Sequence, residues 1–304
     1  MSIYEVIEPA FRKLFNSNAR LDQLHTGCRW SEGPAYFAAG RYLVWSDIPN
    51  NRMLRYDEND GQVSVFRSPS NYSNGNSVDR QGRLITCEHG GRRVTRTEFD
   101  GSIAVIADRH DGKRFNSPND VVVSSDGAVW FTDPTYGIKS DYEGHRAQSE
   151  IGAANVYRVD PSTGAVDAVA TDFVQPNGLA FSPDESKLYI ADTGRTEGSE
   201  HPAHIRVFDV VGGKRLRGGA VFADCRNGLF DGFRLDEDGR VWTSTGGGVD
   251  CYEPDGTLIG AIKVPEVVAN CVFGGPKRNR LYIAATTSVY AIYVMVRGAG
   301  PRFD

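Results

Sequence analysis

The chain has 304 residues, 40% hydrophobic and 24% charged, the proportions of an ordinary soluble globular protein. Asp and Glu (39) outnumber Lys and Arg (34), so the formal charge of −5 offers no electrostatic footprint for nucleic acid or an anionic membrane surface. Five widely spaced cysteines without a C-x-x-C pair give neither a disulfide framework nor a zinc site, and point to a reducing compartment.

At the N-terminus, MSIYEVIEPAFRKLF lacks the basic start of a secretory signal, and Ile7, Phe11, Leu14 and Phe15 fall on one face of a short helix. Residues 1–18 are therefore expected to form a leader helix packed on the rest of the chain. The protein is expected in the cytoplasm, unless a signal has been removed. The apolar run VYAIYVMV from 289 is far shorter than the roughly 20 residues of a membrane-spanning helix, so no span is expected.

From residue 32 onward one pattern recurs: an apolar run, a polar turn and a second apolar run. It is written as EGPAYFAAGRYLVWSD from 32, GNSVDRQGRLITCE from 75, NDVVVSSDGAVWFTD from 119, NGLAFSPDESKLYIAD from 177, DGFRLDEDGRVWTST from 231 and NCVFGGPKRNRLYIAA from 270. The turns near Gly40, Gly82, Gly127, Glu185, Gly239 and Asn279 are 42, 45, 58, 54 and 40 residues apart, the period of a propeller blade. A second pair of short β-rich runs around Asp-Gly, Thr-Gly or Gly-Gly follows each of the first five, so each repeat reads as four antiparallel strands.

Six such repeats predict an all-β, six-bladed β-propeller in a single domain spanning 1–304. A β-sandwich or a pair of smaller barrels competes, but gives no reason for the regular period. The last repeat is one strand short, and residues 19–27 could supply its outer strand and close the ring. Two insertions, 134–153 in the third repeat and 193–203 in the fourth, are long enough to be lids or solvated excursions.

Just before each inner strand stands a carboxylate or carboxamide: Glu32, Asn76, Asn119, Asn177, Asp231 and Asn270. Each alone reads as a turn former. Six in register read as a ring of oxygens converging on the channel mouth, for which a hard divalent cation is the simplest partner. Such donors favour Ca²⁺, Mg²⁺ or Mn²⁺, with Ca²⁺ foremost and Zn²⁺ tolerated. His89, Arg114, Tyr136 and Asn76 are candidates for holding substrate hydroxyls, or else ordinary loop and structural residues. No G-x-S-x-G elbow is present, so a serine nucleophile has no support.

The segments WSEGPAYF (30–37), NSPNDVVVSSDGAVWFTDPTYG (116–137), QPNGLAFSPDESKLYIADT (175–193) and DGFRLDEDGRVW (231–242), in this order, resemble the family of senescence marker protein, regucalcin and gluconolactonases, in its bacterial gluconolactonase branch. The resemblance implies a propeller that hydrolyses a sugar lactone, glucono-1,5-lactone to gluconate, with one divalent metal ion. It implies Glu32, Asn177 and Asp231 as metal ligands, Asp231 also as general base, and Asn119 as a contact to metal or substrate. A metal-dependent esterase or organophosphate hydrolase, and a non-catalytic interaction propeller with a structural metal, remain as alternatives. The expected partner is a small-molecule sugar lactone, bound by a monomer or homodimer.

Overall fold

The computed structural model describes residues 2–300, nearly all of them in strands and turns. Six antiparallel sheets stand around a central channel as a six-bladed β-propeller. Blade 1 consists of Ser31–Phe37, Tyr42–Asp47, Arg52–Asp57 and Val63–Arg67; blade 2 of Ser73–Val78, Leu84–Glu88, Arg93–Thr97 and Ile103–Ala107. Blade 3 holds Val121–Val123, Val129–Asp133, Ala154–Val159 and Val166–Phe173; blade 4 holds Pro176–Phe181, Lys187–Asp192, His204–Val211 and Arg215–Asp224. Blade 5 begins with Phe233–Leu235, Val241–Thr245, Gly248–Tyr252 and Leu258–Lys263. Blade 6 contains Val268–Gly274, Arg280–Ala285 and Ser288–Tyr293, and its outer strand, Asp22–Thr26, comes from the N-terminus as the missing strand required.

The apolar runs are continuous because each blade is covered on both faces. In the second strand of blade 1, Leu43 and Trp45 enter the core shared with blade 6, while Val44, between them, enters the core shared with blade 2. Blade 3 does the same with Val129 and Phe131 toward blade 2 and Trp130 toward blade 4. Six apolar clusters result, one in each gap between neighbouring blades. All five cysteines, Cys28, Cys87, Cys225, Cys251 and Cys271, are buried and free, and burial pushes their thiols up.

The leader departs from the expected helix of residues 1–18. Tyr4–Val6 pairs with Leu258–Lys263 as a fifth strand of blade 5, and only Pro9–Lys13 is helical, as a short 3-10 turn. Glu5 and Ile7 are therefore set by strand pairing, and Ile7 is 41% exposed, whereas Phe11 and Leu14 are buried against blades 5 and 6. No helix among the described residues is long and apolar enough to cross a membrane.

Candidate functional site

The inner strands converge so tightly at one end of the channel that their backbones touch. Gly75 N donates to the carbonyl of Asn119 at 2.7 Å, Gly178 N to that of Asp231 at 2.9 Å and Gly232 N to that of Ala269 at 2.7 Å. A Cβ on Gly33, Gly75 or Gly178 would collide with a neighbouring blade's carbonyl, and one on Gly232 with the Asn270 amide, so only glycine fits. At the same level the first strands of blades 1, 2, 4 and 6 slip register against their second strands. Such irregularities re-aim side chains. The residue before each constriction is thereby turned to the mouth: Glu32, Asn74, Asn119, Asn177 and Asp231, with Ala269 in the sixth place.

This true register corrects two of the six expected spokes. Asn76 is fully buried below the mouth, where its Nδ2 donates to Gly33 O (2.8 Å), Ser46 Oγ (3.0 Å) and Asn74 O (2.9 Å), and its Oδ1 accepts from Thr86 (2.8 Å). It fastens two blades together, its amide engaged within the protein on both the nitrogen and the oxygen side. Asn270 lies one level under the mouth, its Nδ2 3.1 Å from Glu32 Oε2 and its Oδ1 accepting from Cys271 N. Asn74, which the repeat alignment passed over, takes the place given to Asn76. Its signal was the Asn-Gly step at 74–75, matching Glu-Gly at 32–33, Asn-Gly at 177–178 and Asp-Gly at 231–232.

A cavity of about 190 Å³ occupies the mouth. Carboxylates and carboxamides come from Glu32, Asn74, Asn119, Glu143, Asn177 and Asp231; hydroxyls from Tyr136, Thr193 and Thr196; apolar wall from Trp30, Ile48 and Leu229. Tyr136 belongs to a single helical turn, Tyr136–Lys139, in the blade 3 insertion, and its hydroxyl lies 2.6 Å from Thr193 Oγ1 and 2.9 Å from Thr196 Oγ1 in the blade 4 insertion. Lys139 pairs with Glu197, and Gln175 Nε2 reaches both Thr135 and Glu197 at 2.9 Å. The two insertions are thus laced into one wall of the cavity.

His89 does not line the cavity; it is buried behind Asn74. Its Nδ1 is 3.0 Å from the Glu143 carbonyl, which only accepts, so Nδ1 carries the proton and Nε2 accepts from Asn74 Nδ2 at 3.2 Å. Burial lowers its pKa to about 4, which keeps the ring neutral. The amide of Asn74 is thereby fixed with its oxygen left over, buried and without a partner. Arg114 lies outside the site altogether: it is exposed in the small hairpin Arg109–His110 and Lys113–Arg114, bonded to Glu150 and to the Gly91 carbonyl. The hairpin carries it away from the mouth.

Charge in the mouth is one-sided. Glu32, 4% exposed, and Asp120 are buried, Asp231 is half-buried, and loss of solvent raises the pKa of each. Asp120 adds to the shift of Glu32, and Glu32, Asp120 and Glu143 to that of Asp231. The one cation nearby among the described residues, Arg234, stands 3.6 Å from Asp120 on the channel side away from the mouth. Among the described residues no three His, Cys, Asp or Glu side chains assemble as ligands; here two carboxylates are completed by carboxamides. Glu32 and Asp231, which form no ion pair among the described residues, and the Asn74 oxygen, which has no partner among them, fit a hard divalent cation.

A larger cavity, about 520 Å³, opens at the opposite end of the channel. It is lined by blade-turn residues such as Ser182, Pro183 and Glu237, with no convergence of carboxamides. The carboxylates and carboxamides gather at the smaller cavity.

Residues 30–287 match the model of the SMP-30/Gluconolactonase/LRE-like region. The chain is 30% identical to a gluconolactonase of Zymomonas mobilis subsp. mobilis, over 93% of this chain and 84% of that one. It is 31% identical to a pentonolactonase of Haloferax volcanii, over 85% and 82%. Its structure is similar to that of a gluconolactonase from Xanthomonas campestris, with a TM-score of 0.90 and 39% identity over 96% of this chain and 94% of that one.

Proposed function

The chain belongs to the SMP-30/gluconolactonase/LRE-like family, and from that membership and the chemistry of the mouth we propose that it is a hydrolase of sugar lactones, acting on an aldonolactone such as glucono-1,5-lactone. The observation that carries this reading is the convergence of Glu32, Asn74, Asn119, Asn177 and Asp231 on a cavity the size of one sugar ring. A lactone is a cyclic ester; opening it requires a polarised carbonyl, an activated water and a proton for the departing alkoxide.

Glu32, Asn177 and Asp231 would hold one divalent cation, Ca²⁺ foremost, whose chemistry is that of a Lewis acid toward the carbonyl oxygen. The two carboxylates balance the charge of such an ion, and a neutral amide among the ligands leaves its acidity less quenched. Asp231 takes the proton of the attacking water and returns it to the ring oxygen as the ester bond breaks. Its high proton affinity suits the return step. Asn119 and Asn74 offer amide groups to substrate hydroxyls, and Tyr136 orders the wall beside them.

The test is a hydrolysis screen of aldonolactones, aliphatic lactones and a phosphotriester by chelated protein, with and without added divalent cations, and by Asp231→Ala. Expected are hydrolysis of glucono-1,5-lactone restored by the cation, and a loss of about 10²- to 10⁴-fold in Asp231→Ala, the usual worth of a general base. Full activity in that variant would remove Asp231 from the reaction. An unchanged rate after chelation would remove the metal.

A further inference from the structure

We propose that Glu143, carried into the mouth by the blade 3 insertion, makes the cavity select neutral polyhydroxylated lactones and reject those bearing a phosphate, sulfonate or carboxylate. The selectivity rests on the lactonase reading for the reaction, but not for binding.

Glu143 is half-buried in the cavity wall, and its carboxylate makes no hydrogen bond or ion pair with any described residue. Its position is nonetheless fixed. The His89 ring holds its carbonyl at 3.0 Å, and His145 N and Ala147 N bond back to Gly137 and Ile138 at 3.1 and 3.0 Å. A Cβ on Gly144 would collide with the Gly137 carbonyl, so the insertion closes tightly beside Glu143. A carboxylate placed by its backbone and left without a partner is a site waiting for hydroxyl donors. Charge-assisted hydrogen bonds from sugar hydroxyls would satisfy it.

The charge balance points the same way. Glu32 and Asp231 together would neutralise one divalent cation, and Asp120 faces Arg234 at 3.6 Å. Glu143 remains, and no described residue lining the cavity is a Lys, Arg or His. Lys139, in the same insertion, is engaged by Glu197 and lies 4.9 Å from the Tyr136 ring centroid. Glu143 lines a cavity of about 190 Å³, so the substituents of a sugar ring seated there stand near its carboxylate. Bringing a like charge beside a half-buried carboxylate costs on the order of 100-fold in affinity.

The experiment compares kcat/KM for glucono-1,5-lactone and its 6-phosphate in wild-type protein and Glu143→Gln. A parallel arm measures, by calorimetry, binding of 1,5-anhydroglucitol and its 6-phosphate, which have no ester to cleave. Expected is a wild-type preference for the neutral compound on the order of 100-fold in both arms. Glu143→Gln should narrow it at least tenfold, with an absolute gain on the phosphorylated compound. Loss of a merely structural residue would lower both compounds together. An unchanged ratio in Glu143→Gln, or equal use of both compounds by wild type, overturns the proposal. Binding selectivity that Glu143→Gln relaxes, without hydrolysis of either lactone, would sustain it while sinking the lactonase reading.

Discussion

Asp231 sits among like charges. Burial and the carboxylates of Glu32, Asp120 and Glu143 raise its proton affinity, and the Asn177 side chain opposes them. A carboxyl with a raised folded-state pKa supports folding fully only below its unfolded value, about pH 4, and that support is lost as pH rises through the folded value. In metal-free protein Asp231 therefore weakens the fold at neutral and alkaline pH. Asp231→Asn, stripped of divalent cations, is expected to be more stable than wild type at pH 8 in denaturant titrations, the difference vanishing near pH 4. Saturating divalent cation should reverse the order, because the wild-type chain gains binding free energy that the variant loses. Equal stability at pH 8 without cations would mean that no buried charge is relieved.

At the scale of elements, the second strands of blades 1, 3 and 4 end in Asp47, Asp133 and Asp192, and each grips the backbone of the segment entering its own blade. Asp47 accepts from Arg29 N at 2.9 Å, Asp133 from Asn116 N and Ser117 N at 2.8 Å each. Asp192 accepts from Val174 N (3.0 Å), Gln175 N (2.9 Å) and Gly194 N (3.0 Å), tying the inner strand that bears Asn177 to the insertion that bears Thr193. Asp192→Ala would leave buried N–H groups unpaired, so a loss of about 2–4 kcal/mol is expected in denaturant titrations, with a raised KM as the wall loosens. Retained stability and KM would show that these bonds are replaced by water. The blades were legible from turns and apolar runs because those features are local. The mouth was legible only in part: Glu32, Asn119, Asn177 and Asp231 reach it, but Asn74 is told from Asn76 only by the glycine that follows it, a signal that appears when repeats are compared at that step and that no single repeat records. Glu143 and the buried role of His89 depend on an insertion folding back across a blade, and Arg114 on a hairpin turning away; neither leaves a periodic trace.

At the scale of the whole molecule, the ring has a seam. Blade 6 is completed by Asp22–Thr26 pairing with Ser288–Tyr293, joining the two ends of the chain, while Tyr4–Val6 and the turn after it only add to the outside of blade 5. The two N-terminal pieces should therefore fail differently. Deleting residues 2–18 removes the buried side chains of Phe11 and Leu14, at about 2 kcal/mol each, and uncovers Trp242, whose ring centroid is 6.1 Å from that of Phe11. The ring stays closed, so a cooperatively unfolding protein with a lowered Tm and an intact mouth is expected. Deleting residues 2–27 also bares the edge of Ser288–Tyr293 and opens the core that Leu24 shares with Trp45 and Tyr282. An unpaired apolar edge recruits other chains, so aggregation and loss of the sharp transition are expected in size-exclusion and thermal unfolding measurements. The mouth lies where the inner strands begin, and all six must hold their places for its spokes to converge. If the longer deletion unfolded as sharply as the shorter, closure would be held by the inter-blade cores alone, and the seam would be a covering rather than a clasp.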